Sequence, residues 1–380
     1  MKTRIEWVRR NCRLLAAIGE EFAATQPFAA KTIGAGIHLE PKTVALLLTL
    51  QRGGARIVST GNLNTTQPTA VAVLGESGIT VFGGPTTDLH EHRQNLEAVL
   101  AERPDLLLDN GGDLFDLWRK HPYSSLLGGT EETTSGRIRL EPLRDELAMP
   151  ILVINDSPIK QFAENEHAVG QSVLEAYLRI TNRITNGQRV TVFGYGACGR
   201  GVAANFRAAH AKVSVVDIDP VKRLRAHLDG FDTPHRDPAV ASADLIVTVT
   251  GGGCVIGPED VRLFKDGVIL ANAGHFPVEI DTKAIAAQAT SHDLFEDAIE
   301  ELRLADGRVL HIVAGGHMVN LAGPRPLGNS IETMDLGFAL QARCLEAIAL
   351  GRIDRTECVV PVPRPINEQV AEAYMRTLYS

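Results

Sequence analysis

From Thr32 onward, short apolar runs bounded by glycine and polar residues alternate with longer stretches whose apolar positions recur at helical spacing. Thr32 to His38, Ala55 to Ser59, Thr80 to Gly83 and Leu106 to Asp109 read as strands. Pro41 to Gly53, Thr69 to Ser77 and His90 to Glu102 read as the helices between them, and Ile5 to Thr25 has helical spacing suited to packing on this first domain. Ile138 to Ala148 is helix-like, Ile151 to Ile154 a strand and Gly170 to Asn182 a long helix. Ala243 to Val249, Val268 to Ala271 and Val309 to Ala314 are further strands, and Ile331 to Leu350 is a helix before a short tail. This alternation predicts an α/β protein whose parallel sheets carry helices on both faces. Polar residues gather just after strands, at His38, Asn62 to Gln67, Asn110 and Asp113, the edge where open α/β sheets bind ligands.

The most informative stretch is RVTVFGYGACGRGVAANFRAAHAKVSVVDIDP, from Arg189 to Pro220. A buried strand leads into Gly194, Gly196 and Gly199, an Ala-rich helix follows, and a second apolar strand ends at Asp217, 23 residues after Gly194. That is a complete βαβ dinucleotide fingerprint. The glycines serve the tight turn, the backbone approach to a pyrophosphate and the close packing of helix on strand. The N-terminus of the helix, read over Val202 to Ala211, offers N–H groups to the phosphates, and Ala197 and Cys198 of the fingerprint join the cofactor contacts. A carboxylate at Asp217 suits ribose hydroxyls and repels a 2′-phosphate, so the expected cofactor is NAD.

Composition narrows the picture without redirecting it. The 380 residues allow two or three domains, and 44% hydrophobic with 22% charged residues is ordinary for a globular protein. A net charge of −8 with no long basic run speaks against nucleic acid as a partner. Five scattered cysteines without C-x-x-C predict reduced thiols, no cysteine-built metal site and a cytoplasmic location; no stretch reaches the length of a membrane span.

Several motifs in order resemble the S-adenosylhomocysteine hydrolase (adenosylhomocysteinase) family over nearly the whole chain. They are Ile37-His38, the Asn64 to Gln67 loop, Leu108-Asp109-Asn110-Gly111-Gly112-Asp113 and Glu131-Glu132-Thr133-Thr134-Ser135-Gly136. Asn155-Asp156-Ser157 with Lys160 and Asn165 follows, then the fingerprint, Asn272-Ala273-Gly274-His275-Phe276, Asn320-Leu321 and Met334-Asp335. The resemblance implies two doubly wound domains. A split substrate domain spans 1–168 and is completed by 326–380, and a central Rossmann NAD-binding domain spans 169–325. It also implies a homo-oligomer, dimer or tetramer, acting on a small nucleoside. In that family's chemistry the ribose 3′-hydroxyl is oxidised to a ketone, the acidified C4′ hydrogen leaves with the 5′ substituent, water adds, and the ketone is reduced again, so the cofactor is catalytic.

By the same resemblance Lys160 is the base at the 3′-hydroxyl, Glu132 holds the ribose hydroxyls, and His38 is the acid and base at the leaving group. His275 lies near the ribose, and Asn155 and Asn165 orient sugar and nicotinamide. Thr66 and Gln67 join the substrate contacts. Thr133, Thr134, Ser135, Thr250, Asn272 and Asn320 join Asn165 and the fingerprint in contacting NAD. Taken singly, these residues also suit strand-end caps, a surface Lys160–Glu132 pair or a helix cap at Thr133.

Departures from the family pattern are as telling. Asn110 stands where the family has a carboxylate at C4′, and Glu164 replaces the aspartate paired with the lysine. Lys42, purely a donor, replaces the Glu or Gln that accepts from the adenine amino group. Asn329 replaces a histidine bordering the base, and Pro277 an aspartate. The family's C-terminal extension has no counterpart in an ending Met375 to Ser380. The leading reading is an adenosylhomocysteinase-like enzyme that oxidises a nucleoside 3′-hydroxyl and eliminates a 5′-side leaving group, by S-adenosylhomocysteine hydrolysis or a close variant. The alternatives are a nucleoside dehydratase working through the same 3′-ketone and a non-catalytic NAD-binding regulator. Asn110 suits altered C4′ chemistry, and Lys42 suits a base with a carbonyl, such as hypoxanthine.

Overall fold

The computed structural model describes residues 3–378; Tyr379 and Ser380, which close the tail, lie outside the described residues. The chain forms two compact units, one from the N-terminus to Gln161 with Ile331 onward, the other from Phe162 to Ser330.

The first unit is built on β1 (Thr32–Ile37), β2 (Arg56–Gly61), β3 (Thr80–Phe82), β4 (Leu106–Asp109), β5 (Gly128–Glu131) and β6 (Ile151–Val153), in the order β6-β5-β4-β1-β2-β3, all parallel. The order reverses between β1 and β4, so the loops after these two strands flank the switch point. β5 was not legible as a strand because it opens Gly-Gly. A Cβ on Gly129 would lie 1.9 Å from the Leu107 carbonyl oxygen, so only glycine allows that approach.

The predicted helix from Ile5 is two helices, Arg4–Asn11 and Arg13–Thr25. The break after Asn11 has a distant cause: the buried Asp335 carboxylate accepts from the Leu14 and Leu15 amides at 2.7 and 2.9 Å and caps the second helix. Likewise, the Ile138 to Ala148 segment is helical over Thr134–Leu140 and Arg144–Leu147, with a 3₁₀ turn at Glu141–Leu143 where Pro142 lacks an amide hydrogen. The short tail is largely structured. After the helix Ile331–Ala349, β14 (Val360–Pro361) extends the sheet beside β6, and a helix covers Arg364–Leu378.

The second unit carries β7 (Arg189–Phe193), β8 (Lys212–Val216), β9 (Leu245–Thr248), β10 (Val268–Asn272), β11 (Ala289–Phe295), β12 (Ile299–Leu304) and β13 (Val309–Val313). Their order is β8-β7-β9-β10-β13-β12-β11. Parallel pairing runs from β8 to β13, and the β11–β12 hairpin adds two antiparallel strands that apolar patterning did not reveal, since β11 is exposed over nearly its whole length. Alternation along β9 shows both sheet faces covered: Ile246 joins one apolar core, with Leu270 and Leu310, while Leu245 and Val247 join the other, with Val192 and Phe206. Both units are thus doubly wound, and the second has its switch point between β7 and β9.

Candidate active site

In the first unit the polar loops follow the strands to one sheet edge. β5 ends at Glu131, whose buried carboxylate accepts from the Gly111 amide at 3.0 Å, the Gly112 amide at 2.9 Å and the Thr133 amide and hydroxyl at 2.7 Å each. Asp109, beside it on β4, accepts from the Asn110 and Phe115 amides at 2.9 and 3.1 Å. These bonds fix the 110–112 loop at the switch point, where Gly111 and Gly112 have φ of 111° and 75°. Burial, reinforced by Asp113, pushes the Asp109 carboxyl up to about 7. Burial and then Asp109 raise Glu131 as well.

The next residue turns to the other side of the edge. Glu132 Oε1 meets Lys160 Nζ, and Gln341 Nε2, from the helix Ile331–Ala349, donates to Glu132 Oε2. All three side chains are buried, so the lysine–carboxylate pair is no surface ion pair. Thr133 does cap a helix, accepting from the Gly136 amide at 2.9 Å and lying 3.0 Å from the Ser135 hydroxyl. Asn155, after β6, donates to Thr134 Oγ1 at 2.7 Å. His38, after β1, has Nδ1 2.6 Å from Thr65 Oγ1, and Asn62 Nδ2 donates to Asn110 Oδ1 at 2.8 Å. Thr66 Oγ1 donates to the Asn62 carbonyl at 3.1 Å, and the Gln67 amide donates to Leu39 at 2.8 Å, closing the loop over β1. Lys42 Nζ sits 2.8 Å from Glu40 Oε2, both side chains about 95% buried.

Lys160 opens a π-helical segment, Lys160–Ala168, that continues through Glu164 and Asn165. Such wide turns are rare and recur at functional sites.

In the second unit each fingerprint glycine has a distinct reason. Gly194 has φ 103°, and a Cβ there would meet the Val249 carbonyl at 2.7 Å. A Cβ on Gly199 would lie 2.0 Å from the Gly194 oxygen, whereas one on Gly196 would project into open space. That space lies at the N-terminus of the helix Ala197–Ala208, where a pyrophosphate belongs. Asp217 ties the end of β8 to the turn by accepting from the Tyr195 amide at 2.7 Å.

After β9, Glu279 accepts from the Thr250 amide and hydroxyl at 2.9 Å each and from the Gly251 amide at 2.8 Å. Asn272 spends its side chain on its own turn, accepting from Gly274 at 2.7 Å and donating to the Gly316 carbonyl at 3.0 Å. The His275 ring packs edge-on against Phe276. Asn320 donates to Ser172 Oγ at 2.9 Å, Ser172 donates to Asn329 Oδ1 at 3.0 Å, and Asn329 donates to Glu164 Oε1 at 3.4 Å. Asn320 Oδ1 is buried without a hydrogen-bond partner among the described residues. A buried acceptor left open in this way matches a carboxamide donor such as that of nicotinamide. Together with the space at Gly196, it makes the unit fit NAD.

Sequence reasoning missed Gln341 and Ser172 and gave Glu279 no role. Gln341 lies in an apolar helix and Ser172 in a helix read only as a spacer. Glu279 belongs to Val278-Glu279-Ile280-Asp281, which follows the Gly-His-Phe motif and shares in the family resemblance, but nothing in the sequence tied it to the Thr250-Gly251 turn.

An NAD-fitting Rossmann unit and a buried lysine–carboxylate pair in one chain define a nicotinamide-dependent enzyme. Residues 165–325 match the family described as S-adenosyl-L-homocysteine hydrolase, NAD binding domain, and residues 2–126 match S-adenosyl-L-homocysteine hydrolase. The chain is 38% identical to the S-inosyl-L-homocysteine hydrolase of Methanopyrus kandleri, over 98% of this chain and 89% of that one. It is also 38% identical to the adenosylhomocysteinase of Thermotoga maritima, over 99% of this chain and 94% of the relative. The S-inosyl-L-homocysteine hydrolase of Methanothermobacter thermautotrophicus is 36% identical over 89% and 83%. The chain belongs to the S-adenosyl-L-homocysteine hydrolase family, and its central domain binds NAD.

Proposed function

We propose that the chain hydrolyses a nucleosyl-homocysteine thioether and prefers a 6-oxopurine, S-inosyl-L-homocysteine, over S-adenosyl-L-homocysteine. The observation that carries this reading is the buried Lys42–Glu40 pair. Hypoxanthine presents a carbonyl acceptor at position 6 beside an N1–H donor, and adenine presents the reverse. Lys42, at the position where the family reads the amino group, can only donate, and Glu40 beside it can accept from N1–H. Two of the relatives above carry names with the inosyl substrate, and one carries the adenosyl enzyme's name.

NAD, when bound, supplies the hydride acceptor for the ribose 3′-carbon. Lys160 takes the 3′-hydroxyl proton, and Glu132 accepts from the ribose hydroxyls and balances the lysine charge. Asn155 orients the sugar. The contact of His38 Nδ1 with Thr65 sets the ring, so proton exchange with the 5′ leaving group falls to Nε2. Asn110, neutral and held by Asn62, binds near C4′ without acting as a base. The enzyme is read further as a cytoplasmic homo-oligomer, dimer or tetramer. Family resemblance supports this, and the free cysteines accord with a reducing compartment.

The test is mass-spectrometric product analysis of NAD-loaded enzyme offered S-inosyl-L-homocysteine, S-adenosyl-L-homocysteine and 5′-hydroxyl nucleosides in separate reactions. Inosine and homocysteine, formed faster than adenosine and homocysteine, are expected. Faster cleavage of the adenosyl substrate would refute the base assignment. Dehydration of a nucleoside with both thioethers untouched would replace hydrolysis by the dehydratase.

A further inference from the structure

Gln341 is fully buried in the helix Ile331–Ala349, where every residue from Asp335 to Ile348 is buried. A polar side chain in such surroundings is retained at a cost unless its groups are bonded. Its Nε2 donates to Glu132 Oε2, while Lys160 holds Oε1. The amide cannot be turned the other way, because a carboxylate only accepts. Its Oε1 then has no hydrogen-bond partner among the described residues. An apolar residue would avoid that burden, so the amide's contribution is the contact with Glu132.

The two grips on Glu132 differ in kind. Lys160 changes charge each time it takes up or returns the 3′-hydroxyl proton, so its hold on the carboxylate changes during turnover. Gln341 never changes charge. We propose that Gln341 is a positioning residue for ribose oxidation, a proton-independent anchor that keeps the Glu132 carboxylate oriented towards the ribose hydroxyls while Lys160 cycles. The inference rests on the reading of Glu132 and Lys160 given above, but not on which base the substrate carries.

The experiment uses NAD-loaded enzyme and follows, by absorbance at the reduced-nicotinamide band, the single-turnover reduction of bound cofactor by saturating inosine or adenosine. Gln341→Leu, or Gln341→Met should the leucine variant not retain cofactor, is expected to keep its NAD and its KM within about threefold. Its reduction rate should fall about 10- to 100-fold, the loss appropriate to a hydrogen bond on a charged group. Gln341→Glu keeps the shape but cannot donate, and should lose at least as much. In a Glu132→Ala background, Gln341→Leu should cost no more than about threefold further, because the anchor has nothing left to hold. Full rates in Gln341→Leu and Gln341→Glu, or losses that multiply in the double variant, would overturn the proposal. A wild-type enzyme whose bound NAD no nucleoside reduces would overturn the functional reading itself and this inference with it.

Discussion

Exchanging Lys42 for glutamine should invert the base preference. In the folded protein Lys42 Nζ lies 2.8 Å from Glu40 Oε2, and both side chains are nearly removed from water. Removing one member of such a pair outright leaves a buried charge and costs about 3–5 kcal/mol. Glutamine limits that loss, since its amide can still donate to Glu40, and we expect the variant to unfold at lower urea with about 1–3 kcal/mol lost. Its side-chain oxygen can now accept, which suits the adenine amino group and opposes the hypoxanthine carbonyl. A hydrogen bond to a charged group is worth about 1.5–3 kcal/mol, so the ratio of kcat/KM for the inosyl over the adenosyl substrate should fall about 10- to 150-fold. The assay is homocysteine release from each thioether at several concentrations, with thiol detection. A ratio unchanged in Lys42→Gln, in enzyme that retains NAD and folds, would show that the pair does not face the base.

Other outcomes follow from the same geometry. Lys160→Ala should bind NAD but show no nucleoside-driven reduction of it, measured by absorbance; undiminished reduction would remove Lys160 from the base role. Asn110→Asp should speed exchange of the C4′ hydrogen with solvent about tenfold or more, read by deuterium incorporation, since a positioned carboxylate base typically contributes at least that. Gly196→Ala should fold and lose NAD affinity at least about tenfold by titration calorimetry, because its Cβ enters otherwise open space where a phosphate approaches. Gly199→Ala should instead destabilise the unit, its Cβ lying 2.0 Å from a carbonyl oxygen. Asp109 titrates near 3.8 unfolded and about 7 folded, so the folded state binds more protons between those values. That contribution to stability is complete below about pH 4 and lost as pH rises through about 7. Asp335, pushed up to about 6 by burial, adds the same sign. Urea unfolding across this range should show declining stability, and Asp109→Asn should flatten the slope.

How much was legible depended on whether a residue's reason lay nearby in the chain. The Gly194 to Asp217 fingerprint, the strand–helix alternation and the polar loops after β1, β2, β4 and β6 follow local rules, and all are present. The break after Asn11 was not legible, because the carboxylate that causes it is Asp335, more than 300 residues away. β11 was missed because it is exposed over nearly its whole length; the Arg364–Leu378 helix was missed although Ile366, Val370, Tyr374 and Leu378 recur at helical spacing. Lys160 and Glu132 stood out by motif, while Gln341, which completes their cluster, sits among alanines and leucines and looks like core. Only packing reveals that its amide meets a carboxylate.

Two buried glutamates, Glu131 at the end of β5 and Glu279 in the loop after β10, have a consequence for what each unit can recognise. Glu131 fills the amides of Gly111 and Gly112, and Glu279 fills those of Thr250 and Gly251. In each turn the acceptor around which backbone amides gather is supplied from within the chain. The first sheet shares its strand order with nucleotide-binding folds, yet the loop amides at its switch point are already bonded to the protein's own Glu131. An external anion would have to displace these carboxyl groups to reach the same amides. The Gly194 to Gly199 turn differs in extent: Asp217 takes the Tyr195 amide, while the space at Gly196 stays open.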